Sequence, residues 1–237
     1  MLFDPNSEEY KTKNERNKAN IFWTENYDPE FTCQHERKIG PLGDGGKWVC
    51  DPHRIDKDNC IVYSVGSCGD FSFEEAVFKD ISKSCEIHTF DIIKEKGGMD
   101  FAKLGKEAGV EFHHYGLGKP SETDTKSQTL EIPNLKPLKE IISELKHEGM
   151  TIDILKIDCE GCEWDQYEDW IKDLTTAGVT VRLFLIEVHN APYLKTAQFF
   201  KMMLDAGYVI YHKEYNGYWH KYIEFAFVLL DKDFQKA

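Results

Sequence analysis

The sequence predicts an α/β fold of the doubly wound kind, with a seven-stranded, mostly parallel sheet closed by a C-terminal antiparallel hairpin. Three observations predict it: strand-like and helix-like segments alternate from Cys60 onward, a glycine-containing turn follows the first strand, and a short loop joins the last two strands. Alternation of this kind gives right-handed βαβ units with helices on both faces of a parallel sheet. The 237 residues suffice for one buried core.

Seven segments have the apolar and β-branched composition of strands. They are residues 61–65, 86–91, 110–115, 152–158, 181–189, 208–213 and 223–230. Only a loop that contains Asn216-Gly217 separates the last two, so we expect them to pair antiparallel. This terminal hairpin is typical of the methyltransferase version of the architecture.

Five segments between these strands are predicted helices: 73–82, 94–109, 137–149, 164–177 and 196–206. Residues 119–136 are rich in Ser, Thr, Pro and charge and predict a surface loop. Residues 1–59 are polar and turn-rich, and we interpret them as an N-terminal extension, a short helix followed by irregular chain that wraps the core and forms a lid. Residues 60–237 are the predicted main domain.

Charge and hydropathy bear on partners and location. The net charge of −13 repels phosphate backbones and anionic lipid, so we expect no nucleic acid and no membrane contact from this chain. No apolar run approaches the roughly 20 residues of a membrane-spanning helix, and the first 20 residues are polar. The expectation is a soluble chain, with the cytoplasm or, if a signal or anchor was removed, the lumen of the secretory pathway as its location.

The turn after the first strand is the candidate cofactor site. Ligands of open α/β sheets bind at the carboxyl ends of the strands. Glycines at 66 and 69 allow a tight turn and close approach, and the next helix offers free N–H groups to a carboxylate. Asp91 ends the second strand about 20 residues later, where an acid reaches ribose hydroxyls. These features fit S-adenosylmethionine, with Gly66, Ser67, Gly69, Asp70, Phe71, Asp91 and Lys47 as the predicted contacts.

Each cofactor feature also has a structural interpretation. A glycine pair after a strand is often only a turn, and a strand-end aspartate is often a helix cap. Lys47 follows Gly45-Gly46 in the segment that could cover the donor, but the same segment could be a wrap packed by Trp48. A nicotinamide-dependent oxidoreductase is disfavoured, because its third glycine would fall at Phe71 and because of the terminal hairpin.

Three residues at strand ends are candidates for catalysis. Methyl transfer to oxygen needs an aligned nucleophile and a group that removes its proton. Asp158 ends the fourth strand, Glu160 follows two positions later, and His189 ends the fifth strand. We rank Asp158 and His189 equally as the base, since an imidazole titrates near neutral pH. With Glu187, the three could instead bind a divalent cation, an interpretation we do not favour, and we predict no metal.

Several motifs together resemble the methyltransferase-like 24 group, which is akin to the FkbM-type methyltransferases. The resemblance covers nearly everything from Cys33 to Leu230, and its most specific motif is Asp158-Cys159-Glu160-Gly161-Cys162-Glu163-Trp164. The other matching segments are 43–50, 60–66, 70–74, 85–91, 185–189 and 224–228. In this family pattern, Cys159 and Cys162 stand where small apolar residues are expected.

The resemblance implies a class I, Rossmann-like methyltransferase fold and S-adenosylmethionine as the donor. It also implies that residues 66, 67, 69 and 70 line the donor, that Asp91 holds its ribose and that Asp158 faces the reaction centre. FkbM-type relatives suggest O-methylation of sugar or polyketide hydroxyls. We therefore expect an S-adenosylmethionine-dependent O-methyltransferase acting on a small acceptor, with a sugar or glycan first. The alternative is a noncatalytic binding or scaffold protein on the same fold.

Cysteine positions leave two possibilities open. Cys60 and Cys85 precede neighbouring strands, so their sulfurs are expected to lie close together, and Cys33 and Cys50 flank the N-terminal wrap. Disulfides would indicate an oxidising lumen, and buried free thiols are equally compatible with the positions. The single C-x-x-C at 159–162 has no second pair and does not predict a zinc ribbon.

Overall fold

The structure is a computed structural model, and it describes residues 22–23, 25–119, 134–189, 193–216 and 222–231. Its strands are β1 (Glu36–Ile39), β2 (Lys47–Cys50), β3 (Ile61–Val65), β4 (Glu86–Phe90), β5 (Glu95–Lys96), β6 (Met99–Asp100), β7 (Glu111–His113), β8 (Gly116–Leu117), β9 (Leu135–Lys136), β10 (Thr151–Ile157), β11 (Thr180–His189), β12 (Tyr208–Tyr215) and β13 (Tyr222–Leu229). Its α-helices are α1 (Ser72–Asp80), α2 (Phe101–Ala108), α3 (Leu138–Leu145), α4 (Glu163–Ala177) and α5 (Tyr193–Asp205), with a 3-10 turn at Pro52–Arg54.

The main sheet has seven strands in the order β12-β13-β11-β10-β3-β4-β7. Neighbouring strands run parallel from β11 to β7, and β13 runs antiparallel to both β11 and β12. The predicted mostly parallel sheet with a terminal antiparallel hairpin is confirmed. Strand order reverses between β3 and β10, so the carboxyl ends of these two strands form the switch point where ligands of such sheets bind.

Two apolar layers cover the faces of the sheet. Alternate residues of β3 divide between them: Tyr63 packs in the cluster with α3, α4 and α5, and Val62 packs in the cluster with α1 and α2. Both residues are fully buried, as expected for a central parallel strand with helices on both faces. The central strands are therefore fixed from both sides, which holds their carboxyl ends in place.

The N-terminal segment contains a β-hairpin that the sequence did not predict. Strands β1 and β2 pair antiparallel, and Cys33 and Cys50 form a disulfide beside them. The hairpin is rich in charge, so it lacks the apolar alternation that identifies strands. Tertiary contacts hold it instead, including a stack of Trp48 on His212 with ring centroids 4.4 Å apart. Residues 1–21 and 24 lie outside the described residues, so the short helix predicted in the N-terminal extension stays a prediction.

Other predicted elements differ only locally. The helix predicted over 94–109 begins at Phe101, because Gly97 and Gly98 adopt φ values of +60° and +80° and form the turn between β5 and β6. Most of the predicted loop at 119–136 lies outside the described residues, although β9 within it pairs with β8. Among the described residues, no helix is both long and apolar enough to cross a bilayer.

The cysteines form three disulfides among the described residues. Besides Cys33–Cys50, they are Cys60–Cys85 and Cys159–Cys162, and Cys68 is free and exposed. The cysteine pair before β3 and β4 links the starts of these neighbouring strands, at the end of the sheet opposite the switch point. For Cys33–Cys50 and Cys60–Cys85 we left open disulfides or buried free thiols, and the structure contains disulfides at both pairs.

Candidate active site

A cavity of about 530 Å³ opens at the carboxyl ends of the central strands. This size is typical of a small-molecule or cofactor site. Its walls come from the turn after β3, the end of β4, the loop after β10 and the end of β11. The residues that line it include Asp44, Gly45, Gly66, Ser67, Asp70, Glu74, Phe90, Asp91, Lys156, Asp158, Glu160, Glu187, His189, Asn216 and Tyr222.

The turn after β3 requires glycine at position 66. Gly66 has φ +78°, and a Cβ atom there would lie 1.7 Å from the carbonyl oxygen of Asp158. Gly69 has φ +81° and faces the ring of Phe101, which a Cβ would approach to 2.4 Å. Both positions therefore combine a backbone conformation favoured by glycine with a contact that excludes any side chain. The turn brings its backbone against the end of β10 and forms one wall of the cavity.

Asp91 ties the end of β4 to this turn. One of its carboxylate oxygens accepts hydrogen bonds from the backbone N–H groups of Ser67 at 3.0 Å and Cys68 at 2.7 Å, and the other accepts from Ile93 N–H at 2.8 Å. The side chain is buried and lines the cavity. Three backbone donors thus orient the carboxylate at the cavity wall, where we predict the ribose.

A buried charge pair beside the turn fits the amino-acid end of S-adenosylmethionine. Glu74 is 1% exposed, and no hydrogen bond of normal geometry reaches either of its carboxylate oxygens from the described residues. Burial raises the pKa of Glu74, and the Lys156 ammonium and the Ser64 hydroxyl oppose that shift. Lys156 donates to the carbonyl oxygen of Gly66 at 2.8 Å. The ammonium group of a zwitterion in the cavity would donate hydrogen bonds to the Glu74 carboxylate, to which no described residue donates one of normal geometry.

Acidic residues form a row across four adjacent strands on the other side of the switch point. Glu187 pairs with Glu224, and Glu224 pairs with Glu214, in the registers of β11, β13 and β12. Asp158 follows the paired residues Ile157 and Ile186, which places it beside Glu187. Like charges directly opposite each other repel, so this row needs positive charge close by.

The N-terminal hairpin supplies that positive charge. Lys47 is buried, forms an ion pair and a hydrogen bond with Glu224, and lies 3.4 Å from Asp158 and 4.0 Å from Glu187. Burial lowers the pKa of Lys47, but the three carboxylates raise it more, so the ammonium stays charged. Lys38 pairs with Glu214 at 2.6 Å.

Asp158 and Glu187 have opposite titration behaviour although they are neighbours. Burial raises the pKa of both carboxyls; in Asp158 the charges of Lys47, Lys156 and His189 outweigh burial and lower the pKa. In Glu187, burial and the charges of Asp158 and Glu224 raise the pKa to about 7. Below that pH the pair holds one proton, and above it the pair is doubly ionised and can accept one.

His189 is held as a cation rather than as a base. Its ring Nδ1 and its backbone N–H both contact one carboxylate oxygen of the buried Glu163, at 3.0 and 2.6 Å. Burial lowers the pKa of His189, but the hydrogen bond and charge of Glu163 and the charges of Glu187 and Asp158 raise it to about 9. A ring that is protonated at neutral pH favours Asp158 over His189 as the base, which we predicted to be equal candidates, and the assignment of the base stays a prediction.

The other predicted site residues have different positions. Glu160 is exposed at the rim of the cavity, with a carboxylate oxygen 3.7 Å from Nε2 of His189. Ser67 and Asp70 lie in the turn, and an Asp70 oxygen accepts from Ser72 N–H at 2.9 Å. Phe71 does not line the cavity; it is buried and packs edge to face on Phe112.

Lys47 does not line the cavity either. Phe71 and Lys47 were predicted as cofactor contacts because they are near glycine-rich turns in the sequence, and neither residue is part of the cavity wall. The register of β2 turns the Lys47 side chain toward the acidic row instead, and the neighbouring residues Asp44 and Gly45 are the ones that reach the cavity wall.

The sequence prediction missed several residues of the site. Glu74, Lys156 and Asn216 line the cavity, and Asn216 donates to Glu187 at 2.9 Å. Glu163 orients His189, although the sequence suggested only a helix start there. Glu224 could have been found, because it is an acid inside a predicted apolar strand; its partner Lys47 lies 177 residues away and has no such signal.

Comparison with known proteins assigns the family. A sequence model of the methyltransferase domain family matches residues 1–229, so the chain belongs to the methyltransferase domain family. It is an S-adenosylmethionine-dependent methyltransferase, which removes the noncatalytic alternative. No curated protein has a sequence significantly similar to that of the chain.

Solved structures of similar fold are distant in sequence. The Methanococcus jannaschii fibrillarin pre-rRNA processing protein shares 10% identity over 74% of this chain and 69% of its own, with a TM-score of 0.46. An rRNA methylase from Streptococcus thermophilus shares 10% identity over 76% of this chain and 92% of its own, with a TM-score of 0.45. Aeropyrum pernix fibrillarin, with natively bound S-adenosyl-L-methionine, shares 12% identity over 84% and 85% of the two chains, with a TM-score of 0.44.

These similarities correct one expectation. We excluded nucleic acid as a partner because of the net charge of −13, yet solved structures of similar fold include proteins described as an rRNA methylase and a pre-rRNA processing protein. The exclusion was therefore wrong. Net charge sums over the whole chain, whereas binding depends on the local potential of one surface.

Proposed function

We propose that the protein is an O-methyltransferase that methylates a hydroxyl group of a small acceptor, with a sugar or glycan as the acceptor class. The observation that carries the proposal is the pair Asp158 and Glu187, two adjoining carboxyls on the cavity wall with opposite pKa shifts. A hydroxyl must lose its proton during methyl transfer, and a base whose pKa lies near the working pH is best suited to take it.

The donor would be held on the β3 side of the switch point. The turn at Gly66, the oriented carboxylate of Asp91 and the Glu74–Lys156 pair are the residues we assign to it. When bound, S-adenosylmethionine supplies a methyl group on a positively charged sulfur. We also propose that residues 1–59 act as an extension of the main domain at 60–237, since Asp44 and Gly45 contribute to the cavity wall.

The acceptor would be held on the β11 side. Its oxygen forms the new bond to the methyl carbon, the carbon–sulfur bond breaks, and the hydroxyl proton passes to the Asp158–Glu187 pair. The ammonium group of Lys47, which is not part of the cavity wall, keeps Asp158 ionised, and Asn216 donates a hydrogen bond to one oxygen of Glu187. The buried His189 and Glu160 at the rim have facing atoms 3.7 Å apart, and they would position the acceptor rather than take its proton.

A neutral polyhydroxyl acceptor matches this wall. Carboxylates accept hydrogen bonds from hydroxyl donors, and Asp158, Glu160 and Glu187 offer three of them. Tyr222 adds an aromatic ring, whose centroid lies 4.6 Å from that of His189. The resemblance to the methyltransferase-like 24 group and the FkbM-type enzymes supports the same substrate class, and we propose membership of that grouping on the motifs around residues 60–66, 85–91 and 158–164.

The test is an acceptor screen with S-adenosylmethionine, scored by release of S-adenosylhomocysteine. The panel contains mono- and oligosaccharides, a hydroxylated polyketide and single-stranded RNA, and NMR then locates the transferred methyl group. We expect a methyl ether on a sugar, formed by the wild type and formed roughly 10²- to 10⁴-fold more slowly by Asp158→Asn. A methylated RNA with untouched sugars would replace the glycan assignment, and a methyl group on nitrogen or sulfur would overturn O-methylation.

A further inference from the structure

A second cluster of metal-ligating side chains lies away from the catalytic residues, at the edge of the sheet. Strands β4 and β7 pair in parallel, with His88 opposite Glu111 and Phe90 opposite His113. Side chains alternate along each strand, so His88, Glu111 and His113 project from one face. No step of the proposed methyl transfer uses them.

The possible ligand atoms of these three residues all lie within 4.8 Å of one another. His88 Nδ1 lies 3.0 Å from His113 Nε2 and 3.6 Å from a carboxylate oxygen of Glu111, and the other Glu111 oxygen lies 3.9 Å from His113 Nε2. Zinc binds nitrogen and oxygen at roughly 2.0 to 2.2 Å in tetrahedral geometry, which sets its ligands about 3.3 to 3.5 Å apart. The observed separations bracket that range.

His88 is already oriented as a metal ligand. Its Nε2 lies 2.8 Å from a carboxylate oxygen of Glu86, so Nε2 carries the proton and Nδ1 presents a lone pair to His113 and Glu111. A carboxylate that fixes the far nitrogen of a histidine is the usual support of a metal-bound imidazole. The side chain of His88 is 2% exposed, so this orientation is held by packing as well.

The neighbouring His147 helps to hold Glu86 in place and is not one of the proposed metal ligands. Its Nε2 lies 3.1 Å from the same Glu86 oxygen, and its Nδ1 lies 2.8 Å from the Tyr63 hydroxyl. Both ring nitrogens of His147 have partners other than the three residues that surround the proposed ion. It anchors Glu86, and through Glu86 it anchors His88.

We propose that His88, Glu111 and His113 form a binding site for a zinc-like divalent transition metal, with water in the fourth position. Two neutral imidazoles and one carboxylate suit such an ion. The Glu111 side chain is 66% exposed and opens the site to solvent, and the His113 side chain is 13% exposed. The ion would hold the edge strand β7 to β4.

The site also borders the cofactor cavity. The carbonyl oxygen of His113 accepts the backbone N–H of Asp91 at 3.1 Å, and the His113 ring stacks on Phe90 with centroids 4.9 Å apart. Phe90 and Asp91 both line the cavity. A bound ion would therefore stiffen the cavity wall at which we place the ribose. This effect does not depend on the acceptor being a glycan.

Metal titration tests the site directly. The purified protein, with its disulfides intact, is freed of metal and titrated with Zn²⁺ by calorimetry, and with Co²⁺ by visible absorption. We expect one Zn²⁺ per chain, a tetrahedral Co²⁺ spectrum and a higher Tm with Zn²⁺. Glu111→Gln should weaken binding at least tenfold, and His113→Gln should remove the Co²⁺ spectrum.

Matched control variants distinguish metal binding at His88, Glu111 and His113 from metal binding at other side chains. Glu107→Gln changes an exposed acid on α2 and should bind as the wild type does, and so should Asp158→Asn and Cys68→Ser. Binding that survives Glu111→Gln and disappears in Asp158→Asn would move the metal to the catalytic residues and overturn the proposal. Absence of stoichiometric binding by the folded wild type would overturn it as well.

Discussion

Lys47 Nζ lies 3.4 Å from a carboxylate oxygen of Asp158, although 111 residues separate the two along the chain. The lysine belongs to the N-terminal hairpin, and the aspartate directly follows β10 at the switch point. Asp158 belongs to an acidic row with Glu187 and Glu224, and Lys47 contacts all three. The hairpin therefore supplies the charge that lets several acids share one wall of the cavity.

Lys47→Met should strongly destabilise the protein. The substitution removes the ammonium group and leaves three neighbouring carboxylates with less positive charge beside them. Removing one partner of a buried ion pair costs about 3 to 5 kcal/mol of stability. Urea unfolding at neutral pH measures the loss, which should shrink at lower pH as the carboxyls protonate. Lys103→Met, at an exposed i,i+4 pair, is the control and should change stability by less than about 0.5 kcal/mol. An equal effect of the two variants would contradict the assigned role of Lys47.

The pH dependence of kcat/KM should report the Asp158–Glu187 pair. Because the pKa of Glu187 is raised to about 7, kcat/KM should rise with pH through about 7 as the pair loses its proton. Asp158→Asn removes the neighbouring charge that contributes to this shift, so the rising limb should move to lower pH while kcat falls roughly 10²- to 10⁴-fold. Glu187→Gln should remove the limb. A limb that stays near 7 in Glu187→Gln would assign the titration to another group.

Stability should fall as the pH rises through the His189 titration. The pKa of His189 is raised to about 9 in the folded protein from an ordinary value of 6.5, so the folded state binds the proton more tightly than the unfolded chain. This contribution is fully present below about 6.5 and is lost as the pH rises through about 9. Tm measured from pH 6 to pH 9.5 should therefore decline less steeply in His189→Gln than in the wild type. His53→Gln changes an exposed histidine and should leave the slope unchanged.

Gly66→Ala should disrupt the donor wall. A methyl group at residue 66 would meet the Asp158 carbonyl oxygen at 1.7 Å, so the turn must move away from β10. We expect at least a tenfold loss of S-adenosylmethionine affinity, measured by calorimetry on the folded fraction. Gly97→Ala has a comparable φ of +60° with nothing within 4 Å, so it carries the backbone strain of about 1 kcal/mol without the clash. Equal affinity losses in the two variants would attribute the effect to strain alone.

The sheet could be predicted from sequence because its central strands are continuous apolar runs with glycine turns between βα units. Residues 61–65 and 152–157 are buried on both faces and show this pattern, and the antiparallel end follows from loop length. The hairpin at 36–50 could not be predicted, because its charged side chains have no apolar alternation and its partners are distant in sequence.

The site was predictable in position but not in chemistry. Strand ends identify Asp91, Asp158 and His189 as neighbours of one cavity. The protonation of His189 depends on Glu163, which holds two of its nitrogen atoms, and the raised pKa of Glu187 depends on burial beside other acids. Such environments arise only when separate strands pack together, so the sequence alone could not rank Asp158 and His189 as candidate bases.

The most direct test of the assigned donor site is a crystal structure of the protein with S-adenosylhomocysteine. We expect the ribose hydroxyls at Asp91, the amino-acid end at Glu74 and Lys156, and the sulfur facing the Asp158–Glu187 pair. A nucleoside bound elsewhere, with the cavity between Gly66 and Asp158 filled only by solvent, would contradict it.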